Sequence, residues 1–233
     1  MAATGLPPAI FLMGPTAAGK TDLAVELVKQ RACEIISVDS ALVYKGMDIG
    51  SAKPDAAILE VAPHHLINIC DPLDCYSAAQ FRSDALVLMA QITARGKVPL
   101  LVGGTMMYYK ALRDGLAQLP ASQPAIRGQL EQEIKDGGLA AMHVRLGDID
   151  PVASARINAN DPQRITRAME VFLLTGETLT AHWSRQEQQR LPYQVTSVGV
   201  WPSERAVLHQ RIEQRYEIML QQGFKREVES LMA

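Results

Sequence analysis

A glycine-rich run near the start of the chain has the spacing of a phosphate-binding loop. Residues 14–21 read Gly-Pro-Thr-Ala-Ala-Gly-Lys-Thr, which matches the pattern G-x-x-x-x-G-K-S/T at every position. The glycines let the backbone curl so that its N–H groups face phosphate oxygens, and the helix expected next adds its positive N-terminus. Lys20 supplies a cation, and the Thr21 hydroxyl supplies a ligand for Mg²⁺. The pattern predicts a phosphate site formed by Gly14, Thr16, Ala17, Ala18, Gly19, Lys20 and Thr21.

The loop does not identify its ligand, because a nucleoside triphosphate and an isoprenoid diphosphate carry the same oxygens. Two aspartates are candidates for the acid or base that would act beside it. Asp39 follows the apolar run at 35–38, and Asp71 follows the run at 66–70. Ligands of open α/β sheets sit at the carboxyl ends of strands, so either carboxylate could hold Mg²⁺ or accept a proton. Spacing alone leaves the two nearly tied, and a loop-capping role stays open for each.

A threonine follows a third apolar run. Residues 98–102 are succeeded by Gly103, Gly104 and Thr105, with no acid. Glycines permit the close approach of a ligand or of another backbone, which would leave Thr105 exposed as a hydrogen-bond donor. A tight turn that happens to precede a threonine explains the run equally well.

The apolar pattern predicts the scaffold that these residues need. Strands are expected at 9–13, 34–38, 65–69 and 98–102, and helices are expected after residue 20 and at 77–94. Strands that alternate with helices imply a parallel sheet covered on both faces. We therefore predict an α/β fold of the P-loop NTPase-like type.

The pattern changes at about residue 118. From there to residue 190 the periodicity is helical, with Asp161 and Gly176 placed as the start and stop signals of one helix. Strand character returns at 194–200, and Ser203 is expected to cap a further helix. The predicted domains are a core formed by residues 1–117 and 191–233, and a helical insertion at 118–190.

Composition excludes several classes of protein. The chain has 233 residues, 48% of them apolar, which is enough for a sizeable core. Its uncharged apolar runs are strand-sized, and residues 1–8 lack the pattern of a secretion signal, so we expect no membrane association. Three cysteines without zinc-site spacing suit the cytoplasm. A formal net charge of −2 gives no overall signature of nucleic-acid binding, so any basic surface must be local.

Further short motifs follow the loop. They are Ser37-Val38-Asp39-Ser40 with Tyr44, Asp48-Ile49-Gly50-Ser51-Ala52-Lys53-Pro54, Pro63-His64-His65-Leu66, Tyr76-Ser77 with Phe81, Gly103-Gly104-Thr105 with Tyr108, and Asp161-Pro162-Gln163-Arg164-Ile165 with Arg167, Ala168 and Glu170. In this order they resemble the tRNA dimethylallyltransferase family over most of the chain, most weakly at 116–150. Family members continue for several dozen residues further, so we expect the core to be truncated at its C-terminus.

The resemblance implies a transferase that binds dimethylallyl diphosphate and Mg²⁺ on the glycine loop. It implies transfer of the dimethylallyl group to N6 of the adenine adjacent to the anticodon, position 37 of tRNA. Asp39 would be the general base that takes a proton from this amine, and Thr105 would assist at the reacting centre. Contacts to the anticodon stem-loop are expected from Asp39, Ser40, Ala41, Leu42, Thr105, Arg127, Gln163, Arg164, Ile165, Thr166 and Arg167. The enzyme is expected to act as a monomer.

Other functions stay open from the residues alone. A small-molecule kinase with ATP in the loop explains residues 14–21 and the α/β pattern equally well. A non-enzymatic nucleotide switch or RNA-binding module is a further alternative, although the near-neutral charge makes stand-alone RNA binding the weakest. Without the family, Gln163 and Arg167 are a solvated helix face. Arg211 and Arg215, one helical turn apart, either line the anionic site or form a surface pair.

Overall fold

The computed structural model describes residues 5–117, 119–185 and 190–232. The chain divides into two compact units, one formed by Met1–Asp114 with Arg190–Ala233 and the other by Gly115–Gln189. Each unit has its own hydrophobic core.

The secondary structure alternates at first and then becomes helical. The strands are β1 (Pro8–Met13), β2 (Cys33–Val38), β3 (His64–His65), β4 (Val98–Gly103) and β5 (Gln194–Gly199). The helices within the described ranges are α1 (Lys20–Gln30), α2 (Ala56–Val61), α3 (Ala78–Ala94), α4 (Met106–Asp114), α5 (Pro124–Gly137), α6 (Leu139–Ile149), α7 (Pro151–Arg156), α8 (Pro162–Thr175), α9 (Leu179–Ser184), α10 (Arg205–Gln222) and α11 (Phe224–Met232). None of the helices in the described part of the chain is long and apolar enough to cross a membrane.

The first unit is built on a five-stranded parallel sheet in the order β3-β2-β4-β1-β5. Helices cover both faces of this sheet, since Ala24 of α1 packs in the core on one side and Phe81 of α3 packs in the core on the other. The central strands are accordingly apolar on both faces. The predicted parallel α/β sheet is thus confirmed. Since β2, β4 and β1 are neighbours, their carboxyl ends lie side by side at one edge of the sheet.

The third strand is much shorter than the pattern indicates. We expected a strand at 65–69, but β3 ends at His65, and Leu66 and Asn68 have left-handed φ angles of 63° and 56°. The segment then follows another backbone, since the N–H groups of Asn68 and Ile69 donate to the carbonyls of Leu42 and Val43. The apolar residues here pack against a loop and do not extend the sheet.

The predicted helix boundaries are confirmed at α3 and α8 and wrong at α10. Ser77 and Gln80 form the capping box of α3, with both reciprocal hydrogen bonds present. Asp161 accepts the Arg164 N–H at the start of α8, and Gly176, at φ 71°, ends that helix. The prediction for Ser203 was wrong, because α10 has Glu204 as its N-cap residue and no side-chain cap.

All the secondary-structure elements in the described part of the second unit are helices, α5 to α9, and its core includes Leu130 and Ile165. A fully buried carboxylate, Glu170 of α8, accepts hydrogen bonds from Ser122 Oγ at 2.7 Å, the Gln123 N–H at 2.9 Å and Arg167 Nη1 at 2.6 Å. Burial acts to raise the pKa of Glu170, but these hydrogen bonds outweigh it, so the pKa is lowered. Glu170 therefore connects α8 to the segment before α5 as an anion.

Candidate active site

A cavity of about 830 Å³ lies at the carboxyl ends of β1, β2 and β4. Its walls include residues 15–22 after β1, Asp39 and Ser40 after β2, and residues 102–105 at the end of β4. All of these belong to the first unit. The sheet order explains the convergence, because the three strand ends are adjacent.

The glycine loop connects β1 to α1 in a tight curl. A Cβ on Gly14 would lie 2.1 Å from the Val200 carbonyl oxygen, so the packing of the strand ends requires glycine there. Ala17 and Gly19 have left-handed φ angles of 59° and 87°. Lys20 Nζ donates to the Pro15 carbonyl at 2.6 Å, which closes the loop from inside. Such a curl turns backbone N–H groups toward the cavity, where an anion can accept from them.

The cavity concentrates charge. Burial lowers the pKa of the Lys20 ammonium, an effect that the Asp39 carboxylate opposes and Arg215 reinforces. Burial likewise lowers the pKa of Arg215, again against the influence of Asp39. Two partly buried cations, Lys20 and Arg215, therefore share the cavity with one carboxylate. An anionic ligand with several oxygens would neutralise the remaining positive charge.

Asp39 is held in place by one of its two oxygens. Its Oδ1 accepts the backbone N–H groups of Ala41 at 2.8 Å and Leu42 at 3.2 Å. Within the described residues the other oxygen, Oδ2, makes no hydrogen bond and stays available as a proton acceptor. The turn thus orients a carboxylate at the cavity wall while leaving one oxygen for chemistry.

Asp71, the competing acid, has the loop-capping role. Its Oδ1 accepts the Leu73 N–H at 3.0 Å, its side chain is exposed, and it does not line the cavity. The tie that spacing leaves between the two aspartates is resolved by this geometry, which places only Asp39 at the site.

Thr105 lies beside Asp39. Its Oγ1 accepts the Ser40 N–H at 3.2 Å, and its own N–H donates to the Val38 carbonyl at 3.2 Å, so it joins the ends of β2 and β4. Its hydroxyl proton remains free to donate into the cavity. Gly103 is required by the neighbouring strand, because a Cβ there would lie 2.0 Å from the Val38 carbonyl oxygen.

Arg215 is a site residue, although sequence reasoning favoured a surface pair with Arg211. Its Nη1 donates to Thr16 Oγ1 at 3.0 Å, and its Nη2 donates to the Ser51 carbonyl at 3.3 Å. Arg211 also lines the cavity, although its side chain is exposed. The surface-pair alternative is therefore wrong for Arg215. The signal was present in the sequence as two arginines one helical turn apart, but nothing local to α10 indicates the cavity.

The cavity suits a hydrated Mg²⁺, which needs only one or two protein oxygens when a phosphate ligand supplies others. Thr21 lines it, and so does Ser37, a 1% exposed residue whose hydroxyl has no hydrogen-bond partner. An unpaired buried hydroxyl is costly unless a ligand or water satisfies it. No cluster of three or more His, Cys, Asp or Glu residues occurs in the described part of the chain. The residues thus fit a cation that Thr21 and phosphate oxygens would hold, and the Ser37 hydroxyl is a further polar group available in the cavity.

The candidate RNA contacts in the second unit differ in exposure. Gln163 and Arg164 are exposed at the start of α8, whereas Ile165 is 0% exposed and Thr166 5% exposed. These two side chains pack in the helical core, so neither can contact RNA in this structure.

The guanidinium of Arg167 already has partners, because it donates to Glu170 and, at 2.7 Å, to the Pro120 carbonyl. Arg127 on α5 is half-buried, and its Nε has no partner among the described residues. The expectation is therefore corrected for the buried side chains of Ile165 and Thr166, whereas the contacts expected from Gln163, Arg164, Arg167 and Arg127 stay predictions.

A parallel five-stranded sheet flanked by helices, with a glycine loop between β1 and α1, defines a P-loop NTPase-like α/β protein. Residues 42–233 match the IPP transferase family, and residues 8–68 match the isopentenyl transferase family. The chain belongs to the IPP transferase family.

Solved structures of such enzymes resemble the chain along almost its whole length. The tRNA isopentenylpyrophosphate transferase of Bacillus halodurans is 38% identical, with 97% of this chain and 70% of that one covered and a TM-score of 0.63. The tRNA delta(2)-isopentenylpyrophosphate transferase of Staphylococcus epidermidis is 35% identical, with 97% and 73% covered and a TM-score of 0.63. A eukaryotic dimethylallyltransferase acting on tRNA is 26% identical, with 97% and 56% covered and a TM-score of 0.81.

Proposed function

We propose that the protein is a tRNA dimethylallyltransferase. It takes a dimethylallyl group from dimethylallyl diphosphate and attaches it to N6 of the adenine adjacent to the anticodon, at position 37 of tRNA. The observation that carries the proposal is one cavity in which Lys20 and Arg215 face Asp39 and Thr105, in a chain of the IPP transferase family.

The donor half of the reaction requires stabilisation of a leaving diphosphate. The C–O bond of the donor breaks, and its electron pair passes to the diphosphate, which is easier for an allylic carbon because the developing positive charge is delocalised. The N–H groups of residues 16–21, together with Lys20 and Arg215, stabilise the negative charge that accumulates. Thr21 would hold Mg²⁺, which would supply further positive charge at the leaving group when bound.

The acceptor half requires removal of a proton. The adenine N6 amine is a weak nucleophile because its lone pair is delocalised into the ring, so a hydrogen-bond acceptor at its N–H raises its reactivity. Oδ2 of Asp39 has this role: as the new N–C bond forms, the proton passes to the carboxylate. Thr105 would donate a hydrogen bond from its hydroxyl at the reacting centre. Its two hydrogen bonds to the segment after β2 and to Val38 keep the ends of β2 and β4 together.

The adenine must leave its stack to reach this cavity, as in other enzymes that act on bases. Ser40, Ala41 and Leu42 follow Asp39 at the cavity and would contact the flipped nucleotide. Gln163 and Arg164, exposed on the helical unit, would contact the anticodon stem-loop, and Arg127 is a further candidate. Exposed polar and cationic side chains are suited to RNA phosphates and sugars.

We also propose that the enzyme is a cytoplasmic monomer. All three cysteines are unpaired, as is usual in a reducing compartment.

Transfer can be tested with labelled dimethylallyl diphosphate, Mg²⁺ and an anticodon stem-loop RNA. Mass spectrometry should find one dimethylallyl group on the adenine adjacent to the anticodon, and an RNA with guanine at that position should stay unmodified. A parallel assay measures phosphoryl transfer from ATP to small hydroxyl compounds. Phosphoryl transfer from ATP, without prenylation of the RNA, would replace the transferase by the kinase alternative, which family membership does not favour.

A further inference from the structure

The motif at residues 48–54 has no role in the chemistry described above, yet it forms part of the cavity wall. Ser51, Ala52 and Pro54 line the cavity, and the Ser51 carbonyl accepts a hydrogen bond from Arg215. Arg215 also contacts Thr16 of the glycine loop. The backbone of this segment, called here the wall loop (residues 48–54), therefore helps to set where one of the two cations of the anionic pocket lies.

One anchor of the wall loop comes from a buried lysine within it. The Lys53 side chain is 4% exposed, and its Nζ donates to the Tyr44 carbonyl at 2.7 Å, to Asp48 Oδ1 at 2.6 Å and to Asn68 Oδ1. These acceptors use all three protons of the ammonium group. Lys53 thus fixes the inner side of the loop.

The second anchor is Glu227 of α11, far along the chain. Its Oε2 accepts the N–H groups of Asp48 at 2.8 Å and Ile49 at 2.6 Å, and its Oε1 accepts the N–H of Gly50 at 2.9 Å. Burial acts to raise the pKa of Glu227, but the three N–H groups outweigh it and lower the pKa. Three successive backbone donors on one carboxylate form an anion nest that is filled by the protein itself.

Apolar packing reinforces this contact. The Phe224 ring lies over Gly50, where an added Cβ would come within 2.2 Å of a ring carbon. A Cβ on Gly46, just before the wall loop, would lie 3.5 Å from Leu231 Cδ2. Phe224, Glu227 and Leu231 recur at helical spacing, so one face of α11 covers the loop.

We propose that Glu227 is a positioning residue of the diphosphate pocket, which holds residues 48–50 so that Ser51 and Arg215 keep their places beside the glycine loop. The two helices joined at Gly223 thus contact the wall loop twice, through Arg215 of α10 and through Glu227 of α11. This inference rests on the proposed function, because the pocket is taken to bind the diphosphate of the donor.

The test compares Glu227→Ala and Glu227→Gln with Glu229→Gln. Glu229 is exposed on the same helix and pairs only loosely with Lys225, at 3.8 Å, so it is the matched control. Hydrogen exchange of the backbone amides at 48–52 should accelerate in Glu227→Ala and stay unchanged in Glu229→Gln. Affinity for dimethylallyl diphosphate should fall about tenfold in Glu227→Ala, and KM should rise more than kcat falls. Glu227→Gln, which keeps the shape but turns an amide N–H₂ toward backbone donors, should show both effects less strongly.

A double-mutant cycle with Arg215→Ala distinguishes positioning from general stability. If Glu227 acts through Arg215, the two losses of donor affinity should be clearly less than additive. Unchanged amide exchange at 48–52, unchanged donor affinity or full additivity would each overturn the proposal. If Glu227→Ala does not fold, Glu227→Gln decides by the same three readouts. A wild-type protein that does not bind the donor would instead contradict the proposed function, while the exchange comparison would still test whether Glu227 holds the loop.

Discussion

Replacing Lys20 with methionine is expected to weaken the binding of dimethylallyl diphosphate by about 100-fold, the loss typical of a charged group bonded to phosphate in a desolvated site. Methionine keeps much of the aliphatic stem and removes the ammonium. The Lys20 ammonium is partly buried, which lowers its pKa and strengthens its attraction to an anionic ligand. The Asp39 carboxylate in the same cavity acts to raise this pKa. Calorimetric titration of the donor, with Mg²⁺ present, measures the effect.

Lys29→Met is the matched control for this substitution. Lys29 lies near the other end of α1, where it pairs at 2.9 Å with Glu26, and both side chains are about half exposed. The control should bind the donor as the wild type does. Equal donor affinity in Lys20→Met and the wild type would contradict the assignment of residues 14–21 to the diphosphate.

Asp39→Asn should lower kcat for prenyl transfer by about 10²- to 10⁴-fold, the usual contribution of a general base. Asparagine retains an oxygen that can accept the N–H groups of Ala41 and Leu42, so the turn after β2 should survive. Its amide nitrogen replaces Oδ2 and cannot take the proton. Donor affinity should not fall, because the carboxylate acts on the acceptor and its removal leaves the positive charges of Lys20 and Arg215 less balanced.

Single-turnover transfer to a stem-loop RNA separates the rate from binding in this variant. Asp71→Asn is the control, since Asp71 caps an exposed loop away from the cavity, and it should react at the wild-type rate. A wild-type rate in Asp39→Asn would remove Asp39 from the role of base.

The scaffold was predictable from local pattern because local forces form most of it. Apolar strands and capping residues such as Ser77 indicated the parallel sheet and its helices, and the structure has them. The predicted length of the third strand was wrong because Leu66 and Asn68 adopt left-handed φ angles. This backbone is held by tertiary contacts to residues 42 and 43, which composition does not indicate.

The candidate site was predictable only where it is contiguous in sequence. The glycine loop is one uninterrupted motif, whereas the choice between Asp39 and Asp71 depends on strand order, which spacing does not give. Arg215 contacts a residue 199 positions away, and Glu227 contacts residues 177 to 179 positions away. Ser37 had a weak signal, as a single hydroxyl in an apolar strand that turned out to be buried without a partner.

The central claim is that the cavity binds a prenyl diphosphate. Its most direct test is calorimetric titration of the protein with dimethylallyl diphosphate and, separately, with ATP, both in the presence of Mg²⁺. The account predicts a clear preference for dimethylallyl diphosphate, with the adenosine moiety of ATP adding nothing to affinity. Tighter binding of ATP, with no measurable affinity for dimethylallyl diphosphate, would contradict it and make Asp39 a metal-site residue of a kinase.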